Sequence, residues 1–198
     1  MSNNTNTIIY NREFALPSAW TFEIEPIKKL LQKYVGNGIG WIEPFAGKSN
    51  YSEFRNDINP ERKQPYCMDA IDFCNTLSDE YSGIIFDPPY SYRQVTEHYK
   101  DVGIKATQLD TSSNFYSRVM DSICDKIKID GYAISMGWNS NGFGKNRGFK
   151  IVEILMVAHG GHHNDTIIVV EKKNYRFQTL FDTKKYGRGN KKECVNVA

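Results

Sequence analysis

Four consecutive residues near the middle of the chain, in the stretch "GIIFDPPY" (residues 83–90), combine the groups needed to handle a planar amine. Asp87 offers a carboxylate. Pro88 and Pro89 lack backbone donors and fix φ, so their carbonyls point in set directions with nothing in their own segment to bond. Tyr90 adds a flat ring. Together they supply hydrogen-bond acceptors and a stacking platform, which suits a flat group carrying an N–H₂. The plainer reading is a strand end closed by a proline turn with a packed tyrosine. The apolar run Ile84, Ile85, Phe86 before Asp87 does not alternate, as expected of a strand buried on both faces. Asp87 then falls at its carboxyl end, where ligands of open α/β sheets bind.

Other residues could complete such a site. In "EPFAGKSN", Gly47 lies in a tight turn after a short apolar run, where a nucleotide-like molecule can approach the backbone closely. Ten residues on, "NDINP" puts Asp57 at another strand end, where a carboxylate can accept from both ribose hydroxyls. Asp69, with the backbone of Ala70, ends a third strand and could read an adenine edge. Acids at strand ends also serve as helix caps, and both roles stay open for Asp57 and Asp69. His162 and His163, in "HGGHHND", have no third ligand at a recognisable spacing, so no metal site is expected. They read as turn residues or as an overhang above a substrate. The segment 137–148, "GWNSNGFGKNRG", carries Lys145 and Arg147 on a Gly/Asn-rich loop that is flexible or faces the substrate.

The elements that must position these residues alternate in type. Ile27, Leu30, Leu31 and Tyr34 fall on one helical face in "IEPIKKLLQKYV", and "GNG" ends it. Strands are predicted at "IGWIEPF", "FRND", "YCMD", the run ending at Asp87, and "YAISMGW". A brief helix covers "AIDFCNTL". Phe115, Val119, Ile123 and Ile127 mark a further helix capped by Ser112 or Ser113, with Gly131 beyond its end. "FKIVEILMVA" and "TIIVVEKK" flank "HGGHHND" as an antiparallel hairpin. This pattern describes an α/β, doubly wound, mostly parallel sheet with an antiparallel C-terminal hairpin.

At 198 residues, with 40% hydrophobic and 24% charged residues, the chain fits one soluble globular domain. It contains no apolar run long enough for a membrane span, and the polar start "MSNNTNTIIYNREF" lacks a signal-peptide core, so a cytoplasmic location is expected. Cys67, Cys74, Cys124 and Cys194 show no metal or C-x-x-C spacing and are expected to be reduced and mostly buried. The net charge is only +2, yet eight Lys/Arg and one acid lie between Lys172 and Lys192. That basic segment reads as a solvated terminus or as an arm for a polyanion, with Tyr175, Phe177, Phe181 and Tyr186 interleaved.

Taken in order, the glycine-containing turn and "DPPY" resemble those of S-adenosylmethionine-dependent amino-methyltransferases, specifically the DNA adenine-N6 methyltransferases. The similarity runs from "WTFEIEPIKKLL" through the last hairpin. It is greatest to the small stand-alone enzymes of bacteria, phages and mobile elements, on "DINP", "DPPYSYRQV", "GWNSNGFGKNRGF" and "HGGHHNDT". It implies a Rossmann-like class I methyltransferase domain over residues 1–173 with a basic tail over 174–198. It further implies S-adenosylmethionine as cofactor and transfer to the N6 amine of a flipped-out adenine in DNA, in a bacterial or phage-infected cell. By the same resemblance Glu43, Pro44, Phe45, Ala46 and Gly47 hold the methionine part, covered by Trp20, Thr21, Phe22 and Pro26. Asp57 would hold ribose, and Asp69 with Ala70 the adenine amine. Asp87, Pro88, Pro89 and Tyr90 become catalytic, with Asp87 also beside the cofactor. Tyr90, Tyr92, Arg93, Lys145, Arg147, His162 and His163 face the substrate.

Two residues depart from the family pattern: Glu43 replaces the commoner aspartate, and Ser49 stands where a second glycine is expected. The interval from Gly47 to Asp57 is also short for the usual first helix. The alternatives are an RNA or cytosine-N4 amino-methyltransferase, or a silent nucleic-acid binder. No separate recognition domain is legible, which leaves specificity to loops such as 91–112, to the tail, or to a second subunit, as a homodimer or with a partner.

Overall fold

The computed structural model describes residues 7–78, 80–89, 113–178 and 193–194. Tyr90, Tyr92, Arg93 and the rest of residues 90–112 lie outside that set, as does most of the basic segment.

The non-alternating apolar runs form the centre of one seven-stranded sheet. In chain order its strands are β1 (Ile9–Phe14), β2 (Trp41–Glu43), β3 (Phe54–Arg55), β4 (Tyr81–Phe86), β5 (Ile127–Gly137), β6 (Phe149–Ala158) and β7 (Thr166–Lys173), arranged β1-β6-β7-β5-β4-β2-β3. Six strands run in one direction. Only β7 is antiparallel, to both β5 and β6. The predicted hairpin of β6 and β7 therefore stands, with β7 inserted between β6 and β5.

Helix α1 (Glu25–Val35) covers one face, with Pro26 in its first turn, where a missing N–H is tolerated. Its Ile27, Leu30 and Leu31 pack on Trp41, Ile85, Ile134, Met136, Leu155 and Ile168. Helices α2 (Ala70–Thr76) and α3 (Ser113–Ile123) cover the other face, where Phe73, Val119 and Ile123 pack on Ile42, Ile84, Phe86 and Ala133. Burial on both faces removes large apolar areas from water at about 25 cal/mol per Å², which is why Ile84, Ile85 and Ile134 are all fully buried. Gly83 is dictated by closeness: a Cβ there would lie 2.7 Å from the Trp41 ring and 2.8 Å from the Tyr132 carbonyl.

Three expectations change. Strand β1 was not anticipated, because every residue in it is exposed and its apolar positions do not alternate with polar ones. It adds to the sheet edge in parallel with β6. "YCMD" is not a strand but a single bridge from Tyr66 to Asn56. The helix expected to reach Ile127 stops at Ile123, and Ile127 already opens β5. Gly131 is therefore no helix stop. It sits in an irregular stretch of β5, where Asp130 takes a φ of 66° and the register with β4 slips between Tyr81 and Gly83. The described cysteines are free and mostly buried, as expected: Cys74 and Cys124 are buried and Cys67 is exposed.

Candidate active site

The chain passes from β2 outward to β3 and then returns to β4 on the other side of β2, so the crevice at this reversal lies between the carboxyl ends of β2 and β4. Glu43 ends β2 and Asp87 follows β4. Side chains alternate along a strand, and Trp41 and Ile85 both face α1. Glu43 and Asp87 therefore project to the same face at the same crevice.

Glu43 is fully buried. Its Oε2 accepts a hydrogen bond from Ser49 Oγ at 2.8 Å, while its Oε1 has no hydrogen-bond partner among the described residues. Burial pushes its carboxyl up to about 8; the Ser49 bond opposes this and the nearby Asp87 charge adds to it. The glutamate and the serine that depart from the family pattern thus depend on one another. The longer acid reaches Ser49, and a glycine there could not donate to it.

The turn after β2 is held from three sides. Gly47 adopts a φ of +53°, the left-handed region that glycine enters without strain. Its N–H donates to Asp57 Oδ2 at 2.8 Å, and its carbonyl accepts from Gln64 Nε2 at 2.9 Å. Gln64 also holds the Ser49 carbonyl at 3.0 Å. Residues 44–53 contain no helix, as the short interval to Asp57 implied. Pro44 and Ala46 are buried in this turn, and Phe45 packs edge-on to Phe86 with centroids 5.5 Å apart.

Asp57 lies at the end of β3 as expected, and both its oxygens already accept from backbone N–H groups, Gly47 through Oδ2 and Asn59 through Oδ1. Each oxygen retains a further lone pair. Asp69 caps α2, its Oδ1 accepting from Ile71 N at 2.8 Å, with Ala70 buried behind it.

Three supporting residues were missed in the sequence. Buried Asn56 donates from Nδ2 to the carbonyls of Pro44 and Met68, and its Oδ1 accepts from Met68 N, so the turns after β2 and β3 and the approach to α2 are tied together. Gln64 is the second. Tyr116 of α3 is the third: its hydroxyl donates to the Pro89 carbonyl, which fixes the end of the proline turn and occupies one of its two carbonyls. Their partners are 12 to 27 residues away, so no local spacing marks them.

Residues 15–24 cross the sheet's carboxyl ends from the β1 edge to α1. Buried His159 anchors the start, with Nδ1 at 2.8 Å from the Ala15 carbonyl and Nε2 at 2.8 Å from Thr166 Oγ1. At the far end Trp20 lies beside the Gly47 turn, between the Lys48 ammonium at 4.3 Å and the Arg62 guanidinium at 5.3 Å from its ring centre. Trp20, Phe22, Lys28, Lys48, Ser49 and Tyr51 line a cleft of about 220 Å³. Thr21 opens the adjoining 3-10 turn. The structure thus brings the strap and the Gly47 turn together, as the resemblance implied.

The substrate-facing expectations divide. His162 and His163 are exposed on the hairpin turn between β6 and β7, at the same end of the sheet as Asp87. Lys145 and Arg147 are not at that end. They precede β6 and lie at the amino-terminal end of the parallel strands. There Arg147 donates to Asp121 Oδ1, to the Phe143 carbonyl and to Ser117 Oγ, clamping the loop to α3. Buried Glu171 holds the same loop, accepting from Phe143 N at 2.5 Å and Gly144 N at 2.9 Å. Among the described residues no group of three His, Cys, Asp or Glu side chains is placed to hold a metal.

No family model and no curated protein matches the chain. Solved structures do. TrmN from Thermus thermophilus superposes with a TM-score of 0.51 at 13% identity, over 76% of this chain and 49% of that one. A 1,6-didemethyltoxoflavin-N1-methyltransferase from Burkholderia thailandensis gives 0.49 at 9% identity, over 75% and 76%. The N-methyltransferase NodS from Bradyrhizobium japonicum gives 0.47 at 12% identity, over 79% and 89%. The last two were crystallised with S-adenosylhomocysteine. The chain spans about half the length of TrmN. At these identities the likeness is one of fold: an α/β, Rossmann-like sheet of the class I methyltransferase type, mostly parallel with one antiparallel strand.

Proposed function

We propose that this protein transfers a methyl group from S-adenosylmethionine to the N6 amine of adenine in DNA. The observation that carries the reading is the placement of Asp87 and Glu43 on one face of the crevice at the topological reversal, with the Pro88–Pro89 turn pinned beside them by Tyr116. The cofactor suits this crevice because it bears an ammonium and a sulfonium, and a fully buried carboxylic oxygen of Glu43 has no partner among the described residues. When bound, it would supply an electrophilic methyl group. Glu43 and the Gly47 turn would hold its methionine end under Trp20 and Phe22, Asp57 the ribose through its remaining lone pairs, and Asp69 with Ala70 the adenine.

The acceptor amine is a poor nucleophile because its lone pair is conjugated with the ring. Asp87 and the Pro88 carbonyl would accept its two hydrogens, which favours a more pyramidal nitrogen and directs its lone pair. On transfer the nitrogen would gain the methyl group as its bond to the sulfonium sulfur breaks, leaving a neutral thioether, and the nitrogen would give up one proton, for which Asp87 would be the acceptor. Alignment and preorganised acceptors provide most of the acceleration for an in-line transfer. Tyr90 would stack on the base after it rotates out of the duplex, offsetting part of the few kcal/mol of unstacking. The test is incubation of the protein with isotopically labelled S-adenosylmethionine and unmethylated DNA or RNA, followed by mass spectrometry of the nucleosides. Label in N6-methyldeoxyadenosine is expected. Label confined to RNA or to N4-methylcytosine would replace the proposed substrate, and unlabelled nucleic acid would overturn the reading.

A further inference from the structure

We infer that His159 is a positioning residue for the cofactor: it fixes the strap 15–24 over the Gly47 turn, and through the strap it sets the affinity for the methionine end of S-adenosylmethionine. The inference rests on the proposed function above and adds to that site a residue outside the crevice. His159 is the first residue past β6 and Thr166 opens β7, so the imidazole stands at the base of the turn between them, buried, with both ring nitrogens engaged. A carbonyl only accepts, so Nδ1 carries a proton and donates it to Ala15 at 2.8 Å, while Nε2 lies 2.8 Å from the Thr166 hydroxyl, which can serve as either partner. The backbone holds the same corner. His159 N donates to Asp165 Oδ1 at 3.3 Å, and Ala15 N donates to the Ala158 carbonyl at 3.1 Å. A Cβ on Gly160 would lie 3.2 Å from the Phe14 ring, so the turn also closes on the root of the strap.

Beyond Ala15 the strap runs in the open, with Leu16, Pro17, Ser18 and Ala19 all exposed. Pro17 restricts this span, and Ser18 Oγ accepts from Trp20 N at 3.1 Å, so a displacement at Ala15 is carried to Trp20. Trp20 meets the Gly47 turn, where a Cβ on Gly47 would be 3.8 Å from the indole. The imidazole therefore acts at one end of a short, stiff segment whose other end covers the turn proposed for the methionine part. If the bond to Ala15 is lost, the strap leaves its closed position in part of the molecules. A ligand that needs the strap closed then binds in proportion to the closed fraction. Adenosine, which lacks the methionine part, does not depend on it.

The two ring nitrogens can be tested apart, because an asparagine amide reaches the place of Nδ1 and a glutamine amide that of Nε2. Affinity for S-adenosylhomocysteine is measured by calorimetry and that for adenosine by competition, with thermal midpoints alongside. An orphaned carbonyl and a lost hydrogen bond together correspond to about tenfold. His159→Gln should weaken S-adenosylhomocysteine binding about tenfold and leave adenosine within about twofold, whereas His159→Asn, which can still donate to Ala15, should restore most of the loss. Thr166→Val keeps the ring but removes the hydroxyl that orients it. It should give a smaller loss with the same selectivity, and it decides the matter if His159→Gln does not fold. A folded His159→Gln with unchanged affinity for S-adenosylhomocysteine, or Thr166→Val with unchanged affinity in its stead, would overturn this inference and leave the proposed function standing. Equal losses for the two ligands, or equal losses in His159→Gln and His159→Asn, would make His159 a support of the fold alone, which also overturns it. A wild type that binds neither S-adenosylmethionine nor S-adenosylhomocysteine would overturn both readings.

Discussion

Asp87 and Glu43 sit one strand apart, yet their burial gives them opposite tasks. Asp87 is half-buried at the end of β4, and in the proposed reaction it holds the acceptor amine, so Asp87→Ala should abolish methyl transfer while cofactor affinity, measured by calorimetry, changes little. Glu43 is sealed from solvent, and its carboxyl, raised to about 8 from an ordinary 4.5, is protonated at neutral pH. Its folded value lies above its unfolded one, so its contribution to stability is fully present below about pH 4.5 and is lost as pH rises through about 8. Each unit of such a shift corresponds to roughly 1.4 kcal/mol. Glu43→Gln, which can still accept from Ser49, should flatten the fall in thermal midpoint between pH 5 and pH 9. Identical pH profiles for the two proteins would show that Glu43 is not the group titrating. Asp57 has a double role, since the oxygens proposed for ribose also hold Gly47 and Asn59. Charge-assisted bonds contribute about 1.5–3 kcal/mol each, so Asp57→Ala should weaken cofactor binding at least tenfold and lower the thermal midpoint as well. A loss of stability with unaltered affinity would leave Asp57 as a clamp of the turn alone.

At the scale of elements, buried carboxylates tie segments distant in sequence to the sheet. Glu153 of β6 accepts from Lys33 and Tyr34 of α1, each at 2.5 Å, and from Asn11 of β1 at 3.2 Å, joining helix, edge and centre. Burial works against its charge, but the bonds from Lys33 and Tyr34 hold its carboxyl below the usual range. Glu171 does the same for the loop 142–144. Its charge is disfavoured by burial, which raises its carboxyl despite the Gly144 and Phe143 donors. Glu171→Ala would leave two backbone donors unpaired at about 1–3 kcal/mol each. It should lower unfolding free energy in urea by about 2–6 kcal/mol and leave cofactor affinity untouched, because the loop it holds packs away from the Gly47 turn. Unchanged stability would mean that water satisfies those donors.

At the scale of the molecule, the first described residues of the basic segment lie at the end of the sheet opposite the proposed active site. Asn174 N bonds to the Gly148 carbonyl at 2.8 Å, and Arg176 pairs with Glu80, both at the amino-terminal side of the strands. Three of the eight basic residues are already committed: Lys173 is fully buried on the carbonyls of Cys124 and Arg147, Lys172 pairs with Asp130, and Arg176 with Glu80. Burial holds the Lys173 ammonium below its ordinary value. The five that remain between Lys184 and Lys192 are the candidates for phosphate contacts. If about four of them neutralise phosphates, the slope of log affinity against log salt should drop by about 4 when the chain is cut after Gln178. The set of modified sites should not change, since phosphate contacts position and base contacts specify. Equal slopes for the full and shortened proteins, on two unrelated duplexes, would remove the tail from DNA binding. A cut after Glu171 is uninformative by comparison because it removes Lys173 from the core. Among the described residues no helix is long and apolar enough to cross a membrane.

The sequence by itself determined what depends on local chemistry and periodicity. The apolar runs set the buried strands, the i, i+3, i+4 spacing set the face of α1, and the turn residues of "HGGHHND" set the β6–β7 hairpin. The order of Gly47, Asp57 and Asp87 along the chain was enough to place each just past a strand, whereas Asp69, expected at the end of a third strand, caps α2 instead. Only the tertiary structure decided what depends on partners distant in sequence. It joined Glu43 to Ser49 and opposed it to Asp87, closed Asn56 and Gln64 around the Gly47 turn, and bound Tyr116 to Pro89. It also carried Arg147 and Lys145 to the far end of the sheet, because a loop that leaves one strand end and re-enters at the other has no local mark of where its charges stop. Strand β1 escaped notice for a related reason. A strand exposed on both faces has no hydrophobic period, and only the hydrogen bonds offered by the β6 edge make it one.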